Sequence, residues 1–253
     1  MKPQSFLSLL LSLAIALLGA SCAHVARGPE TPPTQAASVG ADQMLQEARR
    51  ELSAYERRLP AEQAERATVL TQACRLSFLT GDLAAKEEKS KYFEKGERYA
   101  EMLLQDRPAW VDGHYWLALN LCGQAENAGA KQGLRLLPRI VEHLEKAAAI
   151  DPTYDQGGPH RVLGRIYHEA PAWPMSVGDP HKALHHLTKA VQIAPDNSTN
   201  HLYLGETLLL LGKKNEARQE FEKALRCLRH ALGPHGLEED HQEARRHLGY
   251  PVK

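Results

Sequence analysis

The sequence predicts an all-α protein, built as an α-solenoid of helical hairpins that is closed by capping helices. Leu, Ala, Glu, Arg and Lys abound, whereas the Val, Ile, Phe and Tyr that strands prefer are sparse and aromatic residues make up 6% of the 253 residues. A ten-residue segment recurs along the chain, which is typical of helical repeat proteins. Gly81 and Gly212 fall where turns between helices are expected.

The charge balance excludes several other classes of protein. The chain has 31 Lys and Arg against 31 Asp and Glu, so it lacks the basic excess that broad nucleic-acid binding requires. Charged residues make up 25% of the chain and apolar positions are scattered among them. This composition argues against intrinsic disorder and against a polytopic membrane protein. We therefore expect no nucleic-acid partner.

Residues 1–21 have the pattern of a secretion signal. Lys2 is followed by Phe6–Ala20, an apolar run that is shorter than the roughly 20 residues a membrane-spanning helix needs. The segment Leu18–Cys22 resembles the lipobox of bacterial lipoproteins, in which small residues precede a lipidated cysteine. The resemblance implies cleavage before Cys22 and lipidation of its side chain. An ordinary cleaved signal followed by an unrelated cysteine is the alternative.

Residues 22–41 read as a lipidated N-terminus and a flexible tether. The stretch is rich in Pro and Thr and has no apolar period. Ala23, which follows the cysteine, is not the Asp that retains similar lipoproteins in the inner membrane. In a Gram-negative envelope the chain is thus expected to face the periplasm from a lipid anchor, in the outer membrane rather than the inner one.

The remaining residues, 42–253, are predicted to form one repeat domain. His143–Pro152 and His186–Pro195 are identical at six of ten positions, and Phe221–Leu225 repeats the same theme. Ala190 and Ala224 are 34 residues apart, which is the period of the tetratricopeptide repeat (TPR). Three or more stacked units of this kind make a stable solenoid.

Four units are predicted, with a capping helix at each end. In the last unit, Gly205 and Ala217 should let two antiparallel helices approach, Phe221 should fill the seam between them, and Gly212 should permit the turn. The preceding units carry insertions, one around Gly123–Leu137 and one that includes Ala170–Pro174. The predicted elements are an opening helix over 42–58, units at 67–108, 111–152, 157–195 and 198–231, and a closing cap over 237–248.

Two segments outside the general repeat pattern resemble a known family. The segment Asp151–Tyr167, with Ala170–Pro171 and Gly178–Asp179 after it, and the segment Tyr115–Asn120 are similar to the T-component of TRAP transporters, the tripartite ATP-independent periplasmic transporters. The resemblance covers about residues 70–194. It implies a lipid-anchored periplasmic TPR protein that forms trimers, associates with a periplasmic solute-binding protein and contains a pore-like cavity. The last unit departs from this family.

Three basic residues of the third unit form the first candidate binding site. Arg161, Arg165 and His168 recur at spacings of four and three, so they share one face of a helix, and we expect that face to line the concave wall. Two guanidiniums on one face suit bidentate binding of a carboxylate or phosphate. The alternative is a solvated or salt-bridged face, with Glu169 or Asp155 as the partner.

Aromatic residues form the second candidate site. Tyr115 opens the second unit together with Trp110 and Trp116, and such residues can line a groove for an apolar ligand. Trp116 is expected in the core. Trp173 is the better surface candidate, because the prolines on either side of it hold its segment out of a helix.

Metal and enzyme hypotheses have weaker support. His181 and His185 are four residues apart, the spacing at which two imidazoles on one helix face bind a metal, but no H-E-x-x-H motif accompanies them. His186 matches His143 in repeat position, which favours a packing role. Three cysteines fall within predicted helices, without a C-x-x-C pair, and leave one disulfide open: Cys74, Cys122 and Cys227.

The sequence therefore predicts a lipid-anchored periplasmic TPR protein that binds a protein partner or a ligand without catalysis. Neither a cofactor nor a metal is predicted. The most concrete form is a T-component-like accessory protein whose partner is a periplasmic solute-binding protein. The alternatives are a general envelope scaffold that binds peptide segments and a metal-dependent enzyme that uses the region around His181 and His185.

Overall fold

A computed structural model describes residues 35–59, 63–228 and 234–251 of the chain. Within these ranges the protein is all-helical, and its β structure there is a single isolated bridge between Ala172 and Gly178. The helices are α1 Gln35–Arg58, α2 Gln63–Leu83, α3 Lys86–Asp106, α4 Val111–Asn127, α5 Ala130–Ile150, α6 Tyr154–Glu169, α7 Pro180–Ile193, α8 Ser198–Leu210, α9 Lys214–Ala224 and α10 Pro234–Leu248. No helix in these ranges is both long and apolar enough to cross a membrane.

Helices α2 to α9 pack as four hairpins, the pairs α2–α3, α4–α5, α6–α7 and α8–α9. The first helix of each pair is buried on almost every side, as in α4, where every residue from Gly113 to Gly123 is buried. The second helix buries one stripe, as in α7, where Ala183, Leu187 and Ala190 recur at helical spacing. The hairpins thus form two layers, with the first helices inside and the second helices presenting a polar face.

The last hairpin has the packing that its sequence predicts. Phe221 lies against Gly205 so closely that a Cβ added at Gly205 would sit 2.6 Å from the phenyl ring. Ala217 and Ala224 are fully buried on the facing helix. Gly212 has φ +76°, a left-handed conformation that glycine adopts without a steric penalty, and it turns the chain from α8 into α9.

The N-terminal predictions are only partly within the described residues. The signal peptide, residues 1–21, and residues 22–34 of the tether lie outside them. The other residues of the predicted tether, 35–41, belong to α1, so the opening helix begins earlier than the predicted 42. Met44, Ala48 and Leu52, four residues apart, bury one stripe of α1, and this packing fixes the helix on the first hairpin.

The insertion around Gly123–Leu137 lengthens two helices instead of forming a loop. α4 continues to Asn127 and α5 starts at Ala130, with two residues between them. Gly133 permits the close approach, because a Cβ there would sit 2.6 Å from the carbonyl oxygen of Ala125. The extra residues are mostly good helix formers, so they extend the hairpin.

The C-terminal cap, α10, covers the start of α8. The Asp240 carboxylate of α10 accepts hydrogen bonds from the hydroxyls of Ser198, at 2.5 Å, and Thr199, at 2.8 Å, and all three residues are buried. The cap begins at Pro234, three residues before the predicted 237, and ends at Leu248 as predicted.

Candidate functional site

The start of α6 differs from that of the first helix in the neighbouring hairpins. The histidine follows the proline by six positions in Pro108–His114 and in Pro195–His201, but by eight positions in Pro152–His160. The additional residues form a left-handed turn, with φ of 49° at Asp155, 56° at Gln156 and 77° at Gly157. The non-glycine residues in this conformation are each disfavoured by about 1–2 kcal/mol, so other interactions must hold the turn.

Two predicted site residues, Tyr115 and Arg161, hold this turn. The Arg161 guanidinium donates to the Asp155 carboxylate at 2.8 Å and to the Asp155 carbonyl at 3.3 Å. It also donates to the Gln156 carbonyl at 3.4 Å. The Tyr115 hydroxyl, brought from α4, donates to the same Asp155 oxygen at 2.6 Å. The sequence predicts both residues as ligand contacts, but here they meet at a carboxylate of their own chain.

Arg165 is engaged in the same way one turn later along α6. Its guanidinium pairs with Glu169 at 2.6 Å and with Glu206, which comes from α8. Burial alone would raise the pKa of Glu206, but the Arg165 charge and the hydrogen bonds from His247 and Arg165 lower it to about 2. The guanidinium also lies over the Tyr203 ring, with its carbon 4.4 Å from the ring centroid.

These contacts correct the prediction that the two arginines line an open wall. Arg161 is 0% exposed and Arg165 is 1% exposed, and three carboxylates surround the two guanidiniums. The partners include both residues named in the alternative interpretation, Asp155 and Glu169. An anion could bind here only by displacing one of these carboxylates, and anion binding stays a prediction.

His168 completes the predicted basic face. Its Nδ1 lies 3.0 Å from the hydroxyl of Thr207 on α8. Burial, reinforced by the nearby Arg165 charge, lowers the pKa of His168 to about 4, so the ring is neutral at pH 7. The third member of the predicted triad therefore contributes a hydrogen bond between hairpins and no positive charge.

Paired histidines link the two helices of the second and third hairpins. The Nδ1 atoms of His114 and His143 are 2.9 Å apart, and those of His160 and His186 are 3.0 Å apart. In the first pair, His114 Nε2 donates to the Pro108 carbonyl, so its Nδ1 accepts a hydrogen bond from the Nδ1–H of His143. The shared repeat position of His143 and His186 was the sequence signal for these pairs.

The last hairpin has a histidine–carboxylate contact at the same position. His201 Nδ1 lies 2.6 Å from a Glu220 oxygen, and His201 Nε2 lies 2.8 Å from the Pro195 carbonyl. The position thus carries a pair of histidines in two hairpins and a histidine with a glutamate in the third.

The loop between α6 and α7 presents the predicted surface aromatic. Trp173 is 85% exposed and Met175 is 75% exposed. The loop backbone is tied by hydrogen bonds from Met175 N–H to the Ala172 carbonyl at 3.1 Å and from Gly178 N–H to the Pro171 carbonyl at 3.0 Å. A Cβ at Gly178 would lie 1.9 Å from the Ala170 oxygen, so only glycine fits there. Exposure of Trp173 is confirmed, and ligand contact by it stays a prediction.

The structure gives no support to a metal site at His181 and His185. Both are exposed on α7, and among the described residues the one group with three close ligand atoms is Glu206, Glu243 and His247. Glu206 is already held by the Arg165 cation, which would oppose a bound metal ion. The disulfide that the sequence left open is likewise not formed, because Cys74, Cys122 and Cys227 are all free and buried.

Comparisons with known proteins support the TPR fold. A tetratricopeptide-repeat model matches residues 175–231. The crystal structure of a thermophilic TPR protein from Thermus thermophilus has a TM-score of 0.56 and 19% identity, over 83% of this chain and 94% of that one. At this identity the likeness supports the fold alone. The resemblance of residues 70–194 to TRAP T-components is not shown by these matches.

A second family model covers the N-terminal half. Rat regulator of microtubule dynamics protein 3, from Rattus norvegicus, is 29% identical over 150 residues, which are 53% of this chain and 31% of the rat protein. The chain therefore spans about a third of this relative. The model described as "Regulator of microtubule dynamics protein 1-3" matches residues 38–169, which is more than half of the chain. The chain belongs to this family of regulator of microtubule dynamics proteins 1-3.

Proposed function

We propose that this chain is a non-catalytic TPR scaffold that binds a protein partner, with Trp173 and Met175 as the anchor of the contact. The observation that carries the proposal is the exposure of these two large apolar side chains, 85% and 75%, on a loop between helices. Trp is the side chain most often found at the energetic centre of protein interfaces. An exposed Trp beside an exposed Met is therefore the strongest candidate anchor on the described surface.

The backbone of the loop supports the same proposal. Three backbone hydrogen bonds tie the loop to itself and to α6, the last of them from Asp179 N–H to the Tyr167 carbonyl at 2.9 Å. Asp179 then caps α7 by accepting from the N–H groups of His181 and Lys182. A loop that is ordered before binding loses little conformational entropy when a partner docks on it.

Site-specific photo-crosslinking tests the proposal. A benzoylphenylalanine at position 173 should give one discrete crosslinked product in host cells, whereas the same residue at position 218, on the exposed face of α9, should not. The crosslinked partner should bind purified protein directly and lose at least tenfold in affinity with Trp173→Ala. Equal crosslinking from both positions, or unchanged affinity of the variant, would contradict the proposal.

We further propose that Cys22 is lipidated and holds the protein at the periplasmic side of the outer membrane. The support is the lipobox-like segment Leu18–Cys22 and the absence of Asp after it. Labelling of cells with a palmitate analogue should modify the wild-type chain but not Cys22→Ser, and the variant should leave the membrane fraction. Equal labelling of both chains would sink the proposal.

A T-component-like role is a second candidate, supported by residues 151–167 and by the Ala170–Asp179 segment that carries Trp173. In that role the partner is a periplasmic solute-binding protein and the chain forms trimers. Light scattering of the Cys22→Ser protein, alone and mixed with a solute-binding protein of the same host, tests both points. A monomer that does not bind would exclude this role and leave the scaffold proposal standing.

The family match over residues 38–169 supports a third candidate, since the rat relative is named as a regulator of microtubule dynamics. The match covers 31% of the rat protein, so the activity in its name is only a candidate function for this chain. Co-sedimentation with polymerised tubulin tests it. A chain that stays in the supernatant at micromolar concentrations would exclude this candidate.

A further inference from the structure

The exposed face of α7 carries cations without carboxylates. The helix, Pro180–Ile193, contains no Asp or Glu. Four basic or titratable side chains on it are exposed: His181, Lys182, His185 and Lys189. Spacings of four and seven residues place them on one stripe, which runs about 12 Å along the helix from His181 to Lys189. We call these four residues the α7 stripe.

The outer helices of the other hairpins each pair at least one cation with a carboxylate. Lys95 of α3 pairs with Glu56 at 2.6 Å, Arg139 of α5 pairs with Glu101 at 2.6 Å, and Arg218 of α9 pairs with Glu222 at 3.0 Å. Within residues 35–59, 63–228 and 234–251, no side chain of the α7 stripe lies within ion-pair distance of a carboxylate. The stripe therefore presents positive charge that the described chain leaves unpaired.

Two carboxylates around the start of α7, those of Asp179 and Glu145, have other partners. Asp179 accepts hydrogen bonds from the first backbone N–H groups of the helix. Glu145, on α5, accepts from the Tyr167 hydroxyl at 3.2 Å. Lys182 lies with its ammonium 5.2 Å from the centre of that Tyr167 ring, a cation–π contact. The aromatic contact leaves the charge of Lys182 available to a partner.

The α7 stripe begins where the Trp173 loop ends. Trp173 and Met175 lie within seven residues of Pro180, the first residue of α7, and the loop folds back on Ala170 and Tyr167. The surface thus has an apolar anchor at one end and a row of positive charge that continues from it. A ligand that matches it has one apolar end followed by negative charge over about 12 Å.

We infer that the α7 stripe and the Trp173 loop together bind an acidic segment of a partner protein, with an apolar side chain of that segment against Trp173. The inference rests on the proposed scaffold function and adds the chemistry of the partner. Charge complementarity carries it, because four exposed basic groups without carboxylates would steer and orient an acidic chain. A membrane surface fits less well, since apolar side chains occur at only one end of the stripe.

Defined peptides test the inference on the purified Cys22→Ser chain. The probes are 15-residue peptides with Leu and Phe at one end and Glu and Asp through the rest, in both chain directions, with Gln and Asn versions as controls. The acidic peptides should bind, shift the fluorescence of Trp173 and weaken as salt rises, while the uncharged versions bind at least tenfold more weakly. The absence of acidic-peptide binding below about 1 mM would overturn the inference.

Charge reversal tests the location of binding. Lys182→Glu with Lys189→Glu should weaken acidic-peptide binding by about tenfold or more. The matched control is Lys214→Glu with Arg218→Glu, which reverses two exposed cations on α9 and should change binding less than twofold. Circular dichroism melts of all variants check that each one is folded. Equal losses in both double variants would overturn the inference.

The same variants separate this inference from the proposed function. Binding of the crosslinked partner can be lost in Trp173→Ala and yet be unchanged in Lys182→Glu with Lys189→Glu. In that case the scaffold proposal stands and the inference of an acidic partner segment is wrong. If the chain binds phosphatidylglycerol vesicles through Trp173 and binds no acidic peptide, the surface is a membrane contact and the inference is overturned. Loss of partner binding in Trp173→Ala and also in Lys182→Glu with Lys189→Glu supports the scaffold proposal and the acidic-segment inference together.

Discussion

The neighbouring hairpins α6–α7 and α8–α9 have the same plan but are held together by different chemistry. In α8–α9 the helices meet through Phe221 packed on Gly205 and through the His201–Glu220 contact. In α6–α7 the equivalent pair is two neutral histidines, and the first helix starts with a left-handed turn that Arg161 holds. The comparison shows that the inserted turn adds polar contacts, from Arg161 and Tyr115 to Asp155, that the regular hairpin does not have at the start of its first helix.

Removal of Arg161, whose contacts distinguish α6–α7 from α8–α9, should cause the largest loss in unfolding free energy. Arg161→Ala deletes every guanidinium contact to the left-handed turn and leaves a cavity beside Asp155. Because breaking a buried ion pair costs several kcal/mol and Asp155 can regain some water, we expect a loss of about 3 kcal/mol in unfolding free energy. Urea denaturation measures it. Arg218→Ala, which removes an exposed pair on α9, is the control and should cost less than about 1 kcal/mol.

Acid should destabilise α6–α7 before it affects α8–α9. Burial, first, and neighbouring charges lower the pKa values of His160 and His186 from 6.5 to about 4 in the folded protein. The unfolded chain therefore binds more protons, and stability that is present above pH 6.5 is lost as the pH falls toward 4. Because His186 is partly exposed to water, we expect a loss of about 2 kcal/mol, measured by urea denaturation across this range.

A single exchange sharpens that prediction. His186→Glu gives the third hairpin a His–Glu pair like that of the last hairpin. The part of the acid-induced loss of unfolding free energy that comes from the His160–His186 pair should then disappear above pH 5. Burial also lowers the pKa of His143 to about 4, so the second hairpin keeps its own acid sensitivity and serves as an internal control. An unchanged pH profile of the variant would refute the assignment.

The last hairpin has its own weak point at the cap. Asp240→Ala removes the acceptor of the Ser198 and Thr199 hydroxyls at the start of α8, where both hydroxyls are buried. We expect a loss of about 1–2 kcal/mol in unfolding free energy, because the buried donors are left without this acceptor. Thermal unfolding measures the loss, and Glu238→Ala on the exposed side of α10 is the control.

The smallest effect on stability should come from the residue with the largest proposed effect on binding. Trp173→Ala removes a side chain that is 85% exposed, so unfolding free energy should change by less than about 0.5 kcal/mol. Thermal unfolding of the variant checks this. A larger loss would mean that Trp173 supports the loop and would weaken its interpretation as a binding anchor.

The repeat pattern predicted the four hairpins because each helix pair reuses the same small and apolar positions. Gly205, Phe221 and Gly212 have the roles that their chemistry predicts, and the prolines around Trp173 correctly indicated an exposed loop. Burial of Arg161 and Arg165 could not be read from the sequence in this way. Glu206, the partner that α8 brings to Arg165, lies 41 residues away along the chain. A spacing of four within one helix cannot reveal such a partner.

The sequence pattern also did not predict the left-handed turn. Gly157 and Gly158 are residues typical of turns, but left-handed φ at Asp155 and Gln156 is rare for residues with side chains. It persists because Tyr115 and Arg161 converge on Asp155 from two helices. The paired histidines were indicated by the matching positions of His143 and His186, although their partners, His114 and His160, were not identified.

The three buried cysteines give the molecule built-in reporters of local opening. Cys74 lies in α2, Cys122 in α4 and Cys227 just beyond α9, so each thiol marks a different hairpin. A thiol reagent can reach each one only when its own hairpin opens, and the three labelling rates therefore give three local opening free energies from one sample. Their order would reveal whether the solenoid opens first at its first, second or last hairpin.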